Sequence, residues 1–315
     1  MMATVHNPKH LIHTMPIVRG DLKADDALSR YTWFKVGGPA EVLFKPADEE
    51  ELCGFLSQLP ANMPVSIIGN ASNLLIRDGG VPGVVIRLGG AFSDIEISDT
   101  QMHVGAAAAD LSVARKARDY AISGLEFLSG IPGTIGGAVR MNAGAYEDEI
   151  KDVCTSIRAI DRSGEVHELN ASDLGFGYRN STLAPSLIIT QVTLQGKPGL
   201  IAEITQRMEK IQSDREQSQP VRTLTGGSTF ANPKDHKAWQ LIDQTGCRGL
   251  VWGGAIVSNL HCNFLVNSGN ATAADIEGLG EEVRRRVFDK FGITLEWEIR
   301  RIGIPTLQGI KEAGK

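Results

Sequence analysis

Cysteine pairs, long apolar runs and an excess of positive charge are missing from this 315-residue chain, and each absence argues against a class of protein. The four cysteines, Cys53, Cys154, Cys247 and Cys262, contain no C-x-x-C pair. That leaves no spacing for a structural zinc site or a disulfide framework, and no metal is expected. No stretch approaches the ~20 apolar residues of a membrane span, so no membrane insertion is expected. The opening MMATVHNPKHLIHTMPIVRG lacks the apolar core of a signal peptide, which points to the cytoplasm. Its His6, His10 and His13 read as part of a mobile polar leader rather than as metal ligands. Lys+Arg 32 against Asp+Glu 37 gives a net charge of -5, which speaks against a nucleic-acid partner. Aromatic residues are only 6%, and neither an internal repeat nor a low-complexity tract is present.

Glycine is what the chain has in abundance: 35 in 315 residues (35/315, or 11%) against a usual value of about 7%. It belongs where backbone must approach something closely. With 42% hydrophobic and 22% charged residues the composition is that of a globular protein of two or three domains. Residues 41–88 alternate in the manner of a small α/β unit: strand VLFKP, a helix over 48–59, then strands PVSIIG, LLI and VVIRL. Two further strands follow over 95–97 and 102–106. Asp110 is placed to N-cap a helix with Val113, Ala114, Ala117 and Ala121 on one face, stopping at Gly124. Residues 153–169, broken at Ser163-Gly164, read as a hairpin, and SLIITQVTL as a buried strand. Ile201, Ile204, Met208 and Ile211 mark a helix that runs out into the polar tract SDREQSQP before Pro220. Beyond it, an α+β unit should carry helices over 238–245 and 273–290, a strand near 263–266 and a closing strand LEWEIRRIG. Arg284, Arg285 and Arg286 are splayed around the second of these helices and read as a solvated face.

Two glycine-bearing loops stand apart. Gly69-Asn70-Ala71-Ser72-Asn73 leaves the strand PVSII, and GIPGTIGGAVRMNAGAY carries Gly130, Gly133, Gly136, Gly137 and Gly144, opening a helix near Thr134. Backbone N–H groups in such turns form concave sites for phosphate oxygens, so a diphosphate ligand is expected. Neither loop matches the P-loop or the G-x-G-x-x-G pattern, which moves a P-loop NTPase and a plain Rossmann dehydrogenase down the order.

YTWFKVGGPAE, IIGNASNLLIRD, GLEFLSGIPGTIGGAVRMNAGAY, FGYRNS, GGSTFANP and LEWEIRRIG occur in the order found in UDP-N-acetylenolpyruvoylglucosamine reductases, which the chain resembles from about Tyr31 to Gly303. Chain length and FGYRNS resemble the shorter subtype, without a substrate-capping tyrosine loop. The resemblance implies an α+β fold: a two-part FAD-binding module of the vanillyl-alcohol-oxidase type plus a C-terminal α+β substrate domain. Boundaries are expected at 18–90, 91–203 and 204–303, with tails at 1–17 and 304–315. It implies non-covalent FAD, NADPH as co-substrate, a UDP-sugar substrate and a monomer. The reaction would reduce the enolpyruvyl ether of UDP-N-acetylglucosamine to UDP-N-acetylmuramic acid, early in peptidoglycan synthesis.

Carried onto this sequence, the FAD site falls on Gly69, Asn70, Ala71, Ser72 and Asn73 and on Gly130, Ile131, Pro132, Gly133, Thr134, Gly136 and Gly137. Ser72 and Asn73 could add side-chain donors. Hydride addition to an enol ether leaves negative charge beside a carboxylate, which a guanidinium can stabilise, and Arg179 matches the family's residue for this. Ser228 matches the proton donor to the remaining carbon. Strand alternation puts Glu296, Glu298 and Arg300 on one face, with Glu298 the family's acid and Glu296 behind it. Tyr178 and Asn232 match substrate contacts, and His261 should order backbone. The family often has glycine at Ala71 and lysine at Ala231, so another residue would have to make that lysine's contact.

Overall fold

The computed structural model describes residues 10–306. Leu11, Ile12 and Met15 pack on the first unit's core, and the His10 ring accepts a hydrogen bond from the Ile12 N–H at 3.1 Å. Residues 10–15 are thus anchored rather than a mobile leader, because apolar residues between the histidines find a partner. His6 lies outside the described residues.

The first unit is a four-stranded sheet in the order Asp21–Ala27, Pro39–Lys45, Val81–Arg87, Val65–Ile68, antiparallel at the first pair and parallel thereafter. Val42 and Phe44 face one apolar cluster and Leu43 the other, so the sheet is covered on both sides and reads as a continuous apolar run. Helix α1 (Glu49–Gln58), capped by the Asp48 carboxylate on the Glu51 N–H, covers one face with Leu52, Phe55 and Leu56.

In the second unit an antiparallel five-stranded sheet runs Val166–Asn170, Cys154–Ile160, Ile188–Gln195, Gln101–Gly105, Ile95–Ser98. The hairpin, with Gly164 at φ 83°, and the buried strand are as expected. Helix α2 (Asp110–Asp119) buries Val113, Ala114 and Ala117 but ends before Ala121, which turns to φ 58°. Asp110 is not its N-cap: that position is Ala109, and Asp110 is the first helical residue, fully buried. Helix α3 (Ile135–Arg140) opens after Thr134. Helix α4 (Ile201–Ser218) runs straight through the expected polar break and lays Ile204 and Met208 into the second unit's core, so the expected 203/204 boundary falls inside it. A one-sided apolar stripe suffices to hold a polar helix end against the protein.

The third unit pairs Leu224–Ser228, Phe264–Asn267, Ala255–Val257 and Val251–Trp252 in that order. Helix α5 (Ala238–Gln244) and helix α6 (Ala273–Phe291) cover it, the latter through Ile276, Leu279, Val283 and Val287. Arg284 turns away to pair with Glu281, whereas Arg285 and Arg286 share the Glu282 carboxylate one turn back, at 2.9 and 2.7 Å, and Arg285 also reaches Asp289, so the splaying is only partial. The closing strand is shorter than expected, Arg300–Ile302, and it pairs in parallel with Leu74–Ile76 of the first unit. Residues 295–299 still alternate: Leu295 and Ile299 are buried, while Glu296 is exposed.

Candidate active site

A cleft of about 740 Å³ opens where the three units meet. Both glycine loops line it, and every residue expected to hold the cofactor lies on its wall, as do Arg179, Ser228 and Glu298. The two loops touch: a Cβ on Gly69 would lie 2.7 Å from Thr134 Oγ1, and one on Gly136 would lie 2.8 Å from the Ala106 Cβ. Glycine at these two positions leaves room for the Thr134 hydroxyl and for Ala106. Among the described residues, the backbone N–H groups of Asn70, Ala71, Ser72, Asn73, Gly133 and Thr134 donate no hydrogen bond within the chain. Unsatisfied N–H groups in two facing turns are what an anionic diphosphate needs. These residues therefore fit a dinucleotide cofactor. Ala71 takes φ 48°, the region glycine favours, and buries its methyl group while its carbonyl accepts the Trp33 N–H at 3.4 Å. The Asn73 side chain is not free for a ligand in the way expected, because its amide donates to the Glu298 carbonyl at 3.1 Å.

Arg179 also sits in the left-handed region, φ 53°, in the tight turn that joins Gly177 to Asn180. Its guanidinium donates to the Gly144 carbonyl at 2.7 Å, and lies 3.6 Å from a Glu298 oxygen and 4.0 Å from a Glu149 oxygen. Glu149 is itself held by Lys151 and Asn142, which keep its carboxyl below its ordinary pKa. Burial does the opposite to Glu298, raising it to about 7 against the pull of Arg179. The Glu298 N–H donates to the Thr229 carbonyl at 2.9 Å, so the backbone next to Ser228 is tied to the glutamate segment. Ser228 ends its strand after Gly227, at φ 85°, which with a bulge turns the hydroxyl-bearing residue to the cleft wall.

Tyr178 and Asn232 fall elsewhere. They line a second cavity of about 420 Å³ together with His236 and Lys237, and Tyr178 stacks on the Arg179 guanidinium at 5.3 Å. The Asn232 side chain accepts the Ala238 N–H at 3.0 Å. His261 orders backbone as expected, its Nδ1 accepting the Asn263 N–H at 3.2 Å. Sequence reading missed Trp33, Arg140 and Arg300 on the cleft wall, and Asp214, Arg215 and Ser218 from the end of α4. Extending the apolar stripe of α4 past Ile211 would have found the last three.

A family model described as UDP-N-acetylenolpyruvoylglucosamine reductase, C-terminal domain, matches residues 219–302, and one described as FAD binding domain matches residues 40–170. The UDP-N-acetylenolpyruvoylglucosamine reductase of Azorhizobium caulinodans is 57% identical over 295 residues, spanning 94% of this chain and 96% of its own. The chain belongs to this reductase family. The same-named protein of Parvibaculum lavamentivorans is 57% identical over 299 residues, 95% of this chain and 96% of its own. The crystal structure of the Thermus caldophilus enzyme is similar with a TM-score of 0.78 at 37% identity, covering 91% of this chain and 100% of the other. The FAD-binding match, which includes both glycine loops, assigns FAD to the family member described here. No described helix is long and apolar enough to cross a membrane.

Proposed function

We propose that the chain reduces the enolpyruvyl ether of UDP-N-acetylglucosamine to UDP-N-acetylmuramic acid with NADPH as co-substrate, a step toward the cell-wall polymer needed for bacterial shape and division. Bound FAD would be held by residues 69–73 and 130–137 and would supply hydride from flavin N5 to the terminal carbon of the substrate's enol ether. The chain's own work lies in handling charge and one proton.

The carrying observation is that Arg179, Glu298 and the Ser228 strand are joined: 3.6 Å separates guanidinium from carboxyl, and the Glu298 N–H bonds to Thr229. Arg179 orients the substrate carboxylate and stabilises the negative charge that develops beside it, an electrostatic effect of a few kcal/mol per donor. Ser228 gives its proton to the carbon next to that carboxylate. Glu298, whose carboxyl is raised to about 7, is partly protonated at neutral pH and in that form can hydrogen-bond to the same charge. Tyr178 and Asn232 take the nucleotide end, with Lys237 as the cation available where Ala231 replaces the family's lysine. We read 18–90 and the residues from 91 to the end of α4 as the cofactor-binding units, the residues beyond α4 to 303 as the substrate unit, and the monomer as the working form, because one chain supplies every group named.

Ser228→Ala should leave bleaching of the flavin absorbance by NADPH intact while product formation falls by about 10²–10⁴-fold, read by anaerobic mixing with each substrate in turn. Full turnover would remove the serine from the mechanism. A flavin oxidase acting on an unrelated alcohol would instead be bleached by that alcohol and not by NADPH.

A further inference from the structure

Five arginines line the cleft, and four of them already have an acceptor. Arg140 donates to the carbonyls of residues 183, 184 and 187, and Arg179 to the Gly144 carbonyl. Arg215 donates to the Gln219 side chain at 3.4 Å and Arg300 to the Met141 sulfur at 3.1 Å. Arg87 is the exception. Among the described residues its guanidinium makes no hydrogen bond and no ion pair, and its Nε is buried without a partner. An unpaired buried donor on a charged group is costly, and its presence on a cleft wall points to a partner that is not part of the chain.

The guanidinium is nonetheless held in place. It lies over the Tyr31 ring at 4.8 Å, and the Tyr31 hydroxyl donates to the Asp26 carboxylate at 2.6 Å. Asp26, only 8% exposed, is answered by Arg30 at 3.2 Å, so it is not the anion that Arg87 lacks. Lys45 lies over the same ring at 5.1 Å and adds a second cation there, not an acceptor. Arg87 is the last residue of the strand Val81–Arg87 and stands opposite Ile68, the residue before Gly69, in the parallel ladder. It is thus at the carboxyl end of the parallel strands, beside the first glycine loop, where open sheets of this kind bind ligands.

We propose that Arg87 is a cofactor-binding residue: it supplies the formal positive charge for the FAD diphosphate, where the glycine loops supply only neutral backbone donors. This rests on the reading of the two loops as the FAD cradle. A diphosphate brings negative charge into a cleft that is partly shut off from water, and hydrogen bonds from a guanidinium to phosphate are roughly twice as strong as neutral ones. Stacking on Tyr31, itself fixed by Asp26, means that little side-chain freedom is left to lose on binding. The sugar nucleotide carries a diphosphate as well, but Tyr178, Asn232 and Lys237, the residues assigned to it, line the other cavity.

Titration of flavin-free protein with FAD, followed by the change in flavin fluorescence, tests this. Arg87→Met should bind FAD about 10–100-fold more weakly than the native protein, the loss expected for hydrogen bonds to a charged group. Arg87→Lys keeps the charge without the planar fork and should bind at least about threefold more tightly than Arg87→Met. Arg300→Met removes another cation from the same cleft and should stay within about threefold of native. The flavin-free Arg87→Met protein should melt no lower than its native counterpart, because the buried Nε it loses had no partner. Should that variant fail to fold, Arg87→Gln, a neutral donor, carries the same test with a loss of about tenfold. Native affinity in the neutral variants, a lysine variant that binds like methionine, or an equal loss in Arg300→Met would each overturn the proposal. A raised KM for NADPH with FAD affinity unchanged would overturn it too, moving Arg87 to the co-substrate. Failure of the native protein to bind FAD at all would defeat the cradle reading instead.

Discussion

Glu298 is the residue on which pH should act. Its carboxyl, raised by burial to about 7, binds a proton in the folded state that the unfolded chain has already released, near the ordinary glutamate value of about 4.3. Folding is therefore favoured by this group at low pH, and the advantage is lost as pH rises through about 7. Glu298→Gln should be more stable than the native protein by about 1–3 kcal/mol above neutrality, with the difference vanishing below the unfolded pKa. Denaturant unfolding at several pH values measures this, and a constant difference would mean that folding leaves the Glu298 pKa unshifted. In the same variant the rate of product formation should no longer decline on the alkaline side of neutrality. Arg179 and Ala71 show a second feature of the residue scale: both take positive φ without being glycine, Ala71 in a cofactor loop and Arg179 beside the proposed chemistry.

At the scale of single elements, the glycines divide into those that space demands and those it does not. Gly226, in the strand that ends at Ser228, would place a Cβ 2.3 Å from the ring of Phe34, which is fully buried. Gly54 lies inside α1 with nothing within 4 Å of its Cβ position. Gly226→Ala should lose about 1–3 kcal/mol of stability by overpacking. Gly54→Ala should gain about 0.5–1 kcal/mol from helix propensity. Equilibrium unfolding of the two variants side by side decides it, and equal effects would show that the strand can move away from Phe34. The contrast places the Ser228 strand hard against the first unit, where it has little freedom to shift the hydroxyl.

For the whole molecule, what matters is how the third unit is fastened to the first. Arg77 donates two hydrogen bonds to Glu277 of α6, at 2.9 and 2.8 Å, and Asp78 accepts the Ala273 and Ala274 N–H groups at the start of that helix. The strand Arg300–Ile302 completes the junction, immediately after Glu298. Arg77→Ala leaves the half-buried Glu277 with Arg301 as its remaining cation and should cost about 1–3 kcal/mol. The loss should show in hydrogen exchange of residues 273–291 while the sheet of the second unit stays protected. Uniform loss of protection across all units would mean that they unfold as one.

The sequence by itself determined the local elements and the family. Apolar alternation, the helical stretch over 48–59, the Ser163-Gly164 turn and the stripe of Ile276, Leu279, Val283 and Val287 are short-range signals, and each formed the element it indicated. The glycine loops were legible for the same reason, since a backbone that must approach an anion excludes side chains. Tertiary structure decided everything that depends on residues far apart in the chain. It separated Glu298 from Glu296, because only the former meets Arg179 across more than a hundred residues. It turned Asp110 from an expected cap into a buried acid, took up half of Asn73's expected role, and carried the closing strand onto the first unit. Periodicity records which face of an element is buried, while the partner that buries it is set by how separate elements pack.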